Sequence, residues 1–208
     1  MELRPHHLLR VRGVEDLLSG VPISDWVVAS LKAAPWLVVR RASVESGRIP
    51  VGVRGHQRGQ RFATWLSLDK ILEVIPPHAL VDPANWCLAY SQGLPPVLQS
   101  LVSITPSLEA TGYSWGPTGS CGFELATGIS SISENSDLDL LVEIPEPISV
   151  EAARSLLARL QVLPAVRLDV QLNTPSGGVA LAEFCAGETV LVKTAVAPVL
   201  RKISDLWD

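Results

Sequence analysis

The step Asp137-Leu138-Asp139 constrains this chain more tightly than any other feature. It opens the run Leu138-Asp139-Leu140-Leu141-Val142-Glu143-Ile144, whose alternation reads as a half-buried strand. Side chains i and i+2 of a strand share a face, so Asp137 and Asp139 project together while Leu138, Leu140, Val142 and Ile144 pack on the other side. Two carboxylates held side by side repel each other unless a positive charge joins them. Mg2+ meets that need, because it takes one or two carboxylates and fills its remaining positions with water and substrate phosphates. Upstream, Gly119-Ser120 forms a turn that opens a short helix. The backbone N–H groups of Gly119, Ser120 and Cys121 then fall at a helix N-terminus, where free donors and the helix dipole favour phosphate. Phosphate donors facing an acid pair are the two halves of a nucleotidyl-transfer site.

A third carboxylate fits the pattern. Val166-Arg167-Leu168-Asp169-Val170-Gln171-Leu172 alternates strictly, with Arg167, Asp169 and Gln171 on the polar face. Asp169 set beside the first acidic strand completes a three-acid cage for two ions about 3.5–4 Å apart. Glu183 is the rival third acid, on a strand expected over Val179–Phe184. An Asp-Leu-Asp step by itself is often only a solvated face; the Gly-Ser turn, the intervening helix and the third acid together point to a metal site. Mg2+ is the expected ion and Mn2+ the alternative.

The 208 residues are 47% hydrophobic and 18% charged, enough for a sizeable core in one or two domains. A net charge of −4 argues against nucleic acid as the main partner. Cys87, Cys121 and Cys185 are far apart and lack metal spacing, so they read as thiols in a reducing compartment. Lys32 and Pro35 interrupt the best apolar stretch, and residues 1–13 carry no signal-peptide core. The expectation is a soluble cytoplasmic protein without membrane contact.

Punctuation along the chain divides it into an N-terminal α+β domain over residues 1–82 and a catalytic domain over 94–208. A helix is expected over Trp26–Ala33, strands over Trp36–Arg40, Ile49–Val53 and Phe62–Leu66, and a helix from Ser67 through about Val74. Pro76, Pro77 and Pro83 read as a linker. Pro96 opens a helix that Pro106 closes, and Ser149 caps another over Val150–Leu160. The stretches Val179–Phe184 and Thr189–Thr194 form a hairpin around Ala186-Gly187. Arg54, Arg58 and Arg61 lie in a glycine-rich loop that suits a phosphate or an acidic partner protein. Lys193, among apolar neighbours, suits a phosphate contact.

Gly-Ser, a short helix, Asp-Leu-Asp on a strand and a later strand carboxylate resemble the DNA polymerase β-like nucleotidyltransferases. More closely, the chain resembles the malonate decarboxylase holo-acyl-carrier-protein synthases, or phosphoribosyl-dephospho-CoA transferases, nearly end to end. The blocks that carry this are Pro5-His6, Val39-Arg40-Arg41, Pro50-Val51-Gly52-Val53-Arg54-Gly55, Trp115-Gly116 with Gly119-Ser120, Ser136-Asp137-Leu138-Asp139-Leu140-Leu141, and Leu191-Val192-Lys193-Thr194. The resemblance implies an α+β fold with a mixed sheet flanked by helices. It also implies transfer of 2′-(5″-phosphoribosyl)-3′-dephospho-CoA from its triphosphate to a serine of an apo acyl carrier protein, with release of diphosphate. Asp137, Asp139 and Asp169 would hold the metal, and Gly119, Ser120, Lys193, Arg54 and Arg58 would bind substrate. His7 departs from the aspartate common at that place in relatives.

Gly112-Tyr113-Ser114-Trp115-Gly116 mimics the nucleophile elbow of serine hydrolases, but all four histidines precede Ser114 and Pro117 spoils the helix that should follow. Two other functions remain open: a nucleotidyltransferase acting on a small alcohol or another protein, and a nucleotide-binding module without catalysis.

Overall fold

The computed structural model describes residues 2–43, 47–57, 59–90, 93–161 and 166–208, and only the backbone at 88 and 89. The described chain is α+β, with two six-stranded sheets. The first contains β1 (Leu8–Arg10), β2 (Leu17–Leu18), β3 (Trp36–Val39), β4 (Arg48–Arg54), β5 (Arg61–Ser67) and β6 (Glu73–Ile75). Their order is β2-β5-β4-β3-β1-β6, antiparallel throughout. Helix α1 (Asp25–Ala33) lays Val27 and Leu31 against one face, over Leu9, Leu37, Val51 and Leu66.

The second sheet contains β7 (Trp115–Pro117), β8 (Leu138–Glu143), β9 (Leu168–Thr174), β10 (Gly177–Ala180), β11 (Thr189–Lys193) and β12 (Pro198–Lys202), in the order β12-β11-β10-β9-β8-β7. Only β8 and β9 run parallel. A parallel pair needs a crossover, and α5 (Val150–Leu160) supplies it. The Ser149 hydroxyl accepts from the Ala152 amide at its start, and Ala153, Leu156 and Leu160 are its buried stripe. They pack with α3 (Pro96–Glu109) and α6 (Leu181–Ala186) over Leu138, Leu140, Val142, Val170 and Leu172. Burying these side chains contributes roughly 1.5–3 kcal/mol each before entropy is counted.

Helix α4 (Gly119–Thr127) joins the two sheets. Its Phe123, Ala126 and Ile129 just beyond it pack with Leu8, Trp36, Val38 and Ile75 on the free face of the first sheet. Gly128, at φ 70°, ends α4 in the left-handed region and donates its amide to the Glu124 carbonyl.

Several elements differ from the expectation. The stretch after Ser67 is one 3-10 turn, Leu68–Lys70, followed by β6, because the Ser67 hydroxyl bonds to the Asp69 carboxylate instead of capping a helix. Pro83 stands at the first position of α2 (Pro83–Ala89), capped by Asp82, so the segment read as linker is partly helical. Pro106 lies inside α3 instead of closing it; in the last turn its missing N–H costs one bond only. The strand expected over Val179–Phe184 splits into β10 and α6. Leu181, Phe184 and Cys185 have i, i+3, i+4 spacing, and all three are buried on that helix. The hairpin partner of β11 is therefore β12, which the sequence pattern had not suggested.

Candidate active site

Asp139 and Asp169 face each other across the parallel β8–β9 pair in exact register. Neighbouring strands lie about 4.8 Å apart, and residues in register share a face. Leu138, Leu140, Val170 and Leu172 point into the core, so Asp139 and Asp169 project from the opposite surface. Asp137 comes one residue ahead of β8; Asp137 and Asp139 are both partly exposed and flank fully buried Leu138. The Leu138 amide donates to the Arg167 carbonyl, which carries the pairing back to this point.

The Gly-Ser turn closes on the same spot. The Thr118 amide donates to the Asp139 carbonyl at 2.8 Å, tying the start of α4 to the acidic strand. Gly119 has φ 59°, and a Cβ there would collide with the Asp139 carboxylate. Only glycine meets both demands without strain. The Thr118 side chain makes no capping bond to the first turn of α4. The start of α4 therefore lies directly against one acid of the pair.

A cleft of about 550 Å³ opens between this turn and the first sheet. Pro117, Thr118 and Gly119 form one wall; Arg40, Arg41, Arg54 and Arg61 stand on the other. The Arg54 guanidinium lies 5.9 Å over the Phe123 ring. Burial lowers its pKa, the Arg61 charge lowers it further, and Asp139 and Glu124 pull the other way.

His6 also lines the cleft and has φ 73°, the left-handed region. Its Nε2 lies 3.2 Å from Arg41 Nη1 and 3.5 Å from Gln171 Nε2. Burial first, then the charges of Arg41 and Lys193, lower its pKa to about 4. His6 is therefore neutral near pH 7 and can accept from Arg41. The Arg41 Nε donates to the Lys193 carbonyl at 2.9 Å. Lys193 thus belongs to the His6–Arg41 side of the cleft, with its own side chain exposed. Cys121, within α4, is pushed up to about 12 by burial and then by Glu124 and Asp139, so it stays an inert thiol.

Glu183 does not join the acids. It is on α6, and its Oε2 accepts from the Leu191 amide at 3.3 Å. Arg58 lies outside the described residues. Among the described residues, no three His, Cys, Asp or Glu side chains form a group that could hold an ion unaided.

Residues 4–77 match the family model described as phosphoribosyl-dephospho-CoA transferase MdcG N-terminal domain, and residues 87–203 match its C-terminal domain. The chain belongs to the phosphoribosyl-dephospho-CoA transferase family. A transferase of that name from Pseudomonas putida is 42% identical over 205 residues, covering 98% of this chain and 95% of the relative. The Pseudomonas aeruginosa transferase is 40% identical over 98% of this chain and 93% of its own length. That of Klebsiella pneumoniae is 38% identical, with 92% and 91% covered. No solved structure matches.

Two residues of this transferase's site carried no role in the sequence reading. His6 was visible only as part of a matched block, since nothing local reveals an Arg41 contact 35 residues away. Buried Glu124 accepts from Tyr90 Oη at 2.5 Å and from the Ser131 and Ile132 amides at 2.6 Å each. It thereby holds the polar loop that leads into Asp137, and no sequence spacing announces such a contact.

Proposed function

We propose that this transferase moves 2′-(5″-phosphoribosyl)-3′-dephospho-CoA from its triphosphate precursor to a serine of the apo acyl carrier protein of malonate decarboxylase, releasing diphosphate. The observation that carries the site assignment is that Gly119 abuts Asp139, whose register partner on the next strand is Asp169. Hard carboxylate oxygens on adjacent strands, next to a helix N-terminus, fit a magnesium site whose remaining positions the triphosphate and water fill. When bound there, Mg2+ supplies Lewis acidity to the phosphoryl oxygens.

Asp137 and Asp139 are the proposed ligands, and Asp169 lies in register with Asp139 on the next strand. The amides at the start of α4 orient the triphosphate, and Ser120 adds a hydroxyl at the same turn. The carrier serine Oγ attacks the α-phosphorus, the bond from that phosphorus to the diphosphate oxygen breaks, and diphosphate leaves in line with the attack. Asp169, the most exposed of the three acids, is placed to accept the serine proton. Arg41, Arg54 and Lys193 balance anionic charge on the cleft side. Among the described residues no helix is long and apolar enough to cross a membrane. The free thiols Cys87, Cys121 and Cys185 suit a reducing cytoplasm as the place of work.

The test is direct. The chain is incubated with Mg2+, the triphosphoribosyl donor and the apo carrier, and the carrier is read by intact mass spectrometry. A mass gain equal to one phosphoribosyl-dephospho-CoA group, with matching diphosphate release, is expected. An unchanged carrier would contradict the assignment.

A further inference from the structure

We infer that the cleft between the first sheet and the Gly119 turn holds the dephospho-CoA end of the donor, its nucleoside and its 5′-diphosphate, leaving the carrier protein to dock elsewhere. This rests on the transferase reading above and adds to it which part of which substrate the arginines recognise. The first argument is charge. Arg54 and Arg61 are directly opposed across β4 and β5, and both line the cleft. Like charges facing each other across a sheet are destabilising, unless an anion comes between them. Arg40 and Arg41 add two more guanidinium groups, and among the described residues lining the cleft there is no carboxylate. Guanidinium forks suit a diphosphate, which offers several oxygens in fixed geometry.

The second argument is shape. Gly52 and Ala63 are paired across β4 and β5, and Leu8 and Val38 continue the surface on the neighbouring strands. Together with Phe62 they make the floor apolar. A Cβ on Gly52 would come to 3.0 Å from Arg40 Cδ, so the arginine stem lies flat across that glycine. A planar base fits this surface, with its phosphates reaching the guanidinium groups at the edge. The volume of about 550 Å³ is that of a small-molecule site, not of a protein-docking face. The third argument is position. Gly119 belongs both to this cleft and to the acid pair, so one ligand can occupy the cleft while its triphosphate reaches the metal site.

The probe is 3′-dephospho-CoA itself, which lacks the triphosphate, titrated calorimetrically into the full chain without divalent metal. Asp139→Asn should not weaken its binding, since the proposed role of the acids is toward the triphosphate. Arg61→Gln and Arg54→Gln should each weaken binding about tenfold or more, because each removes a hydrogen bond to a charged group. Arg61 is exposed, so its variant tests the inference even if the Arg54 change disturbs folding. In steady-state transfer, both variants should raise KM for the donor and leave KM for the carrier unchanged. Unaltered dephospho-CoA binding in both variants would overturn the inference, as would a rise confined to the carrier KM. The binding assay needs no acceptor, so a failure of the carrier assignment would appear only in the transfer assay, with arginine-dependent binding intact.

Discussion

At the scale of single residues, the proposed site depends on charge at two positions and on the lack of a side chain at a third. Asp137→Asn and Asp139→Asn keep the shape of each side chain and remove the charge proposed to hold a cation. Transfer should fall to background in each, with an unchanged circular dichroism spectrum. Gly119→Ala acts differently. It forces a Cβ onto the Asp139 carboxylate at φ 59°, so it should lower both thermal stability and donor affinity. Ser120→Ala should weaken donor binding more modestly, by about 1.5–3 kcal/mol, because the backbone amides remain. His6 makes stability depend on pH. Its folded pKa of about 4 lies below the unfolded value near 6.5, so the unfolded chain takes up the proton first as pH falls. The folded state is thus unpenalised above pH 6.5 and loses on the order of 3 kcal/mol by pH 4. Burial lowers His7 in the same direction. His6→Asn tolerates positive φ and does not titrate, so it should flatten, without abolishing, the fall in melting temperature between pH 7 and pH 4.5.

At the scale of elements, α4 carries the most consequence. Its first turn meets Asp139, its Phe123 packs on the first sheet, and its Glu124 holds the loop over residues 128–136. Glu124→Ala leaves two amides and a tyrosine hydroxyl without their acceptor. The expected cost is about 1–3 kcal/mol in urea unfolding, with faster proteolysis within that loop. The elements that bear chemistry were legible because each had a strong local signal. β8 and β9 alternate cleanly, α5 has a serine cap and a three-residue apolar stripe, and a Gly-Ser step marks the start of α4. The misread elements lacked such signals. β1 and β6 are three residues each, too short for a period, and they exist because β1 pairs with both β3 and β6. Helix α6 reads as a strand because Val179-Ala180-Leu181 continues an apolar run; its 3.6-residue spacing emerges only at Phe184 and Cys185. The proline signals at Pro83 and Pro106 were real, but a proline begins a helix as readily as it ends one.

At the scale of the whole molecule, the cleft exists because both sheets contribute to it. Arg4 bonds to Glu143 at 3.2 Å, and Asn173 donates to the same carboxylate at 2.9 Å. The Arg4 pair is partly exposed and should contribute less than about 1 kcal/mol. The apolar cluster around Phe123, Leu8 and Trp36 matters more. Phe123→Ala should cost about 3–5 kcal/mol and replace a single calorimetric transition with two, because the sheets then share little packing. No sequence pattern displayed this seam: residues 4, 6 and 41 meet residues 143, 171 and 193 only after both sheets have formed. The proposed function has one acid pair, beside one Gly-Ser turn, perform transfer to a carrier serine. Its most direct test compares wild type with Asp139→Asn, both shown to be folded, in the intact-mass assay with Mg2+, donor and apo carrier. Wild type is expected to convert the carrier completely and the variant not at all, while both still bind dephospho-CoA. Conversion by Asp139→Asn at the wild-type rate would contradict it.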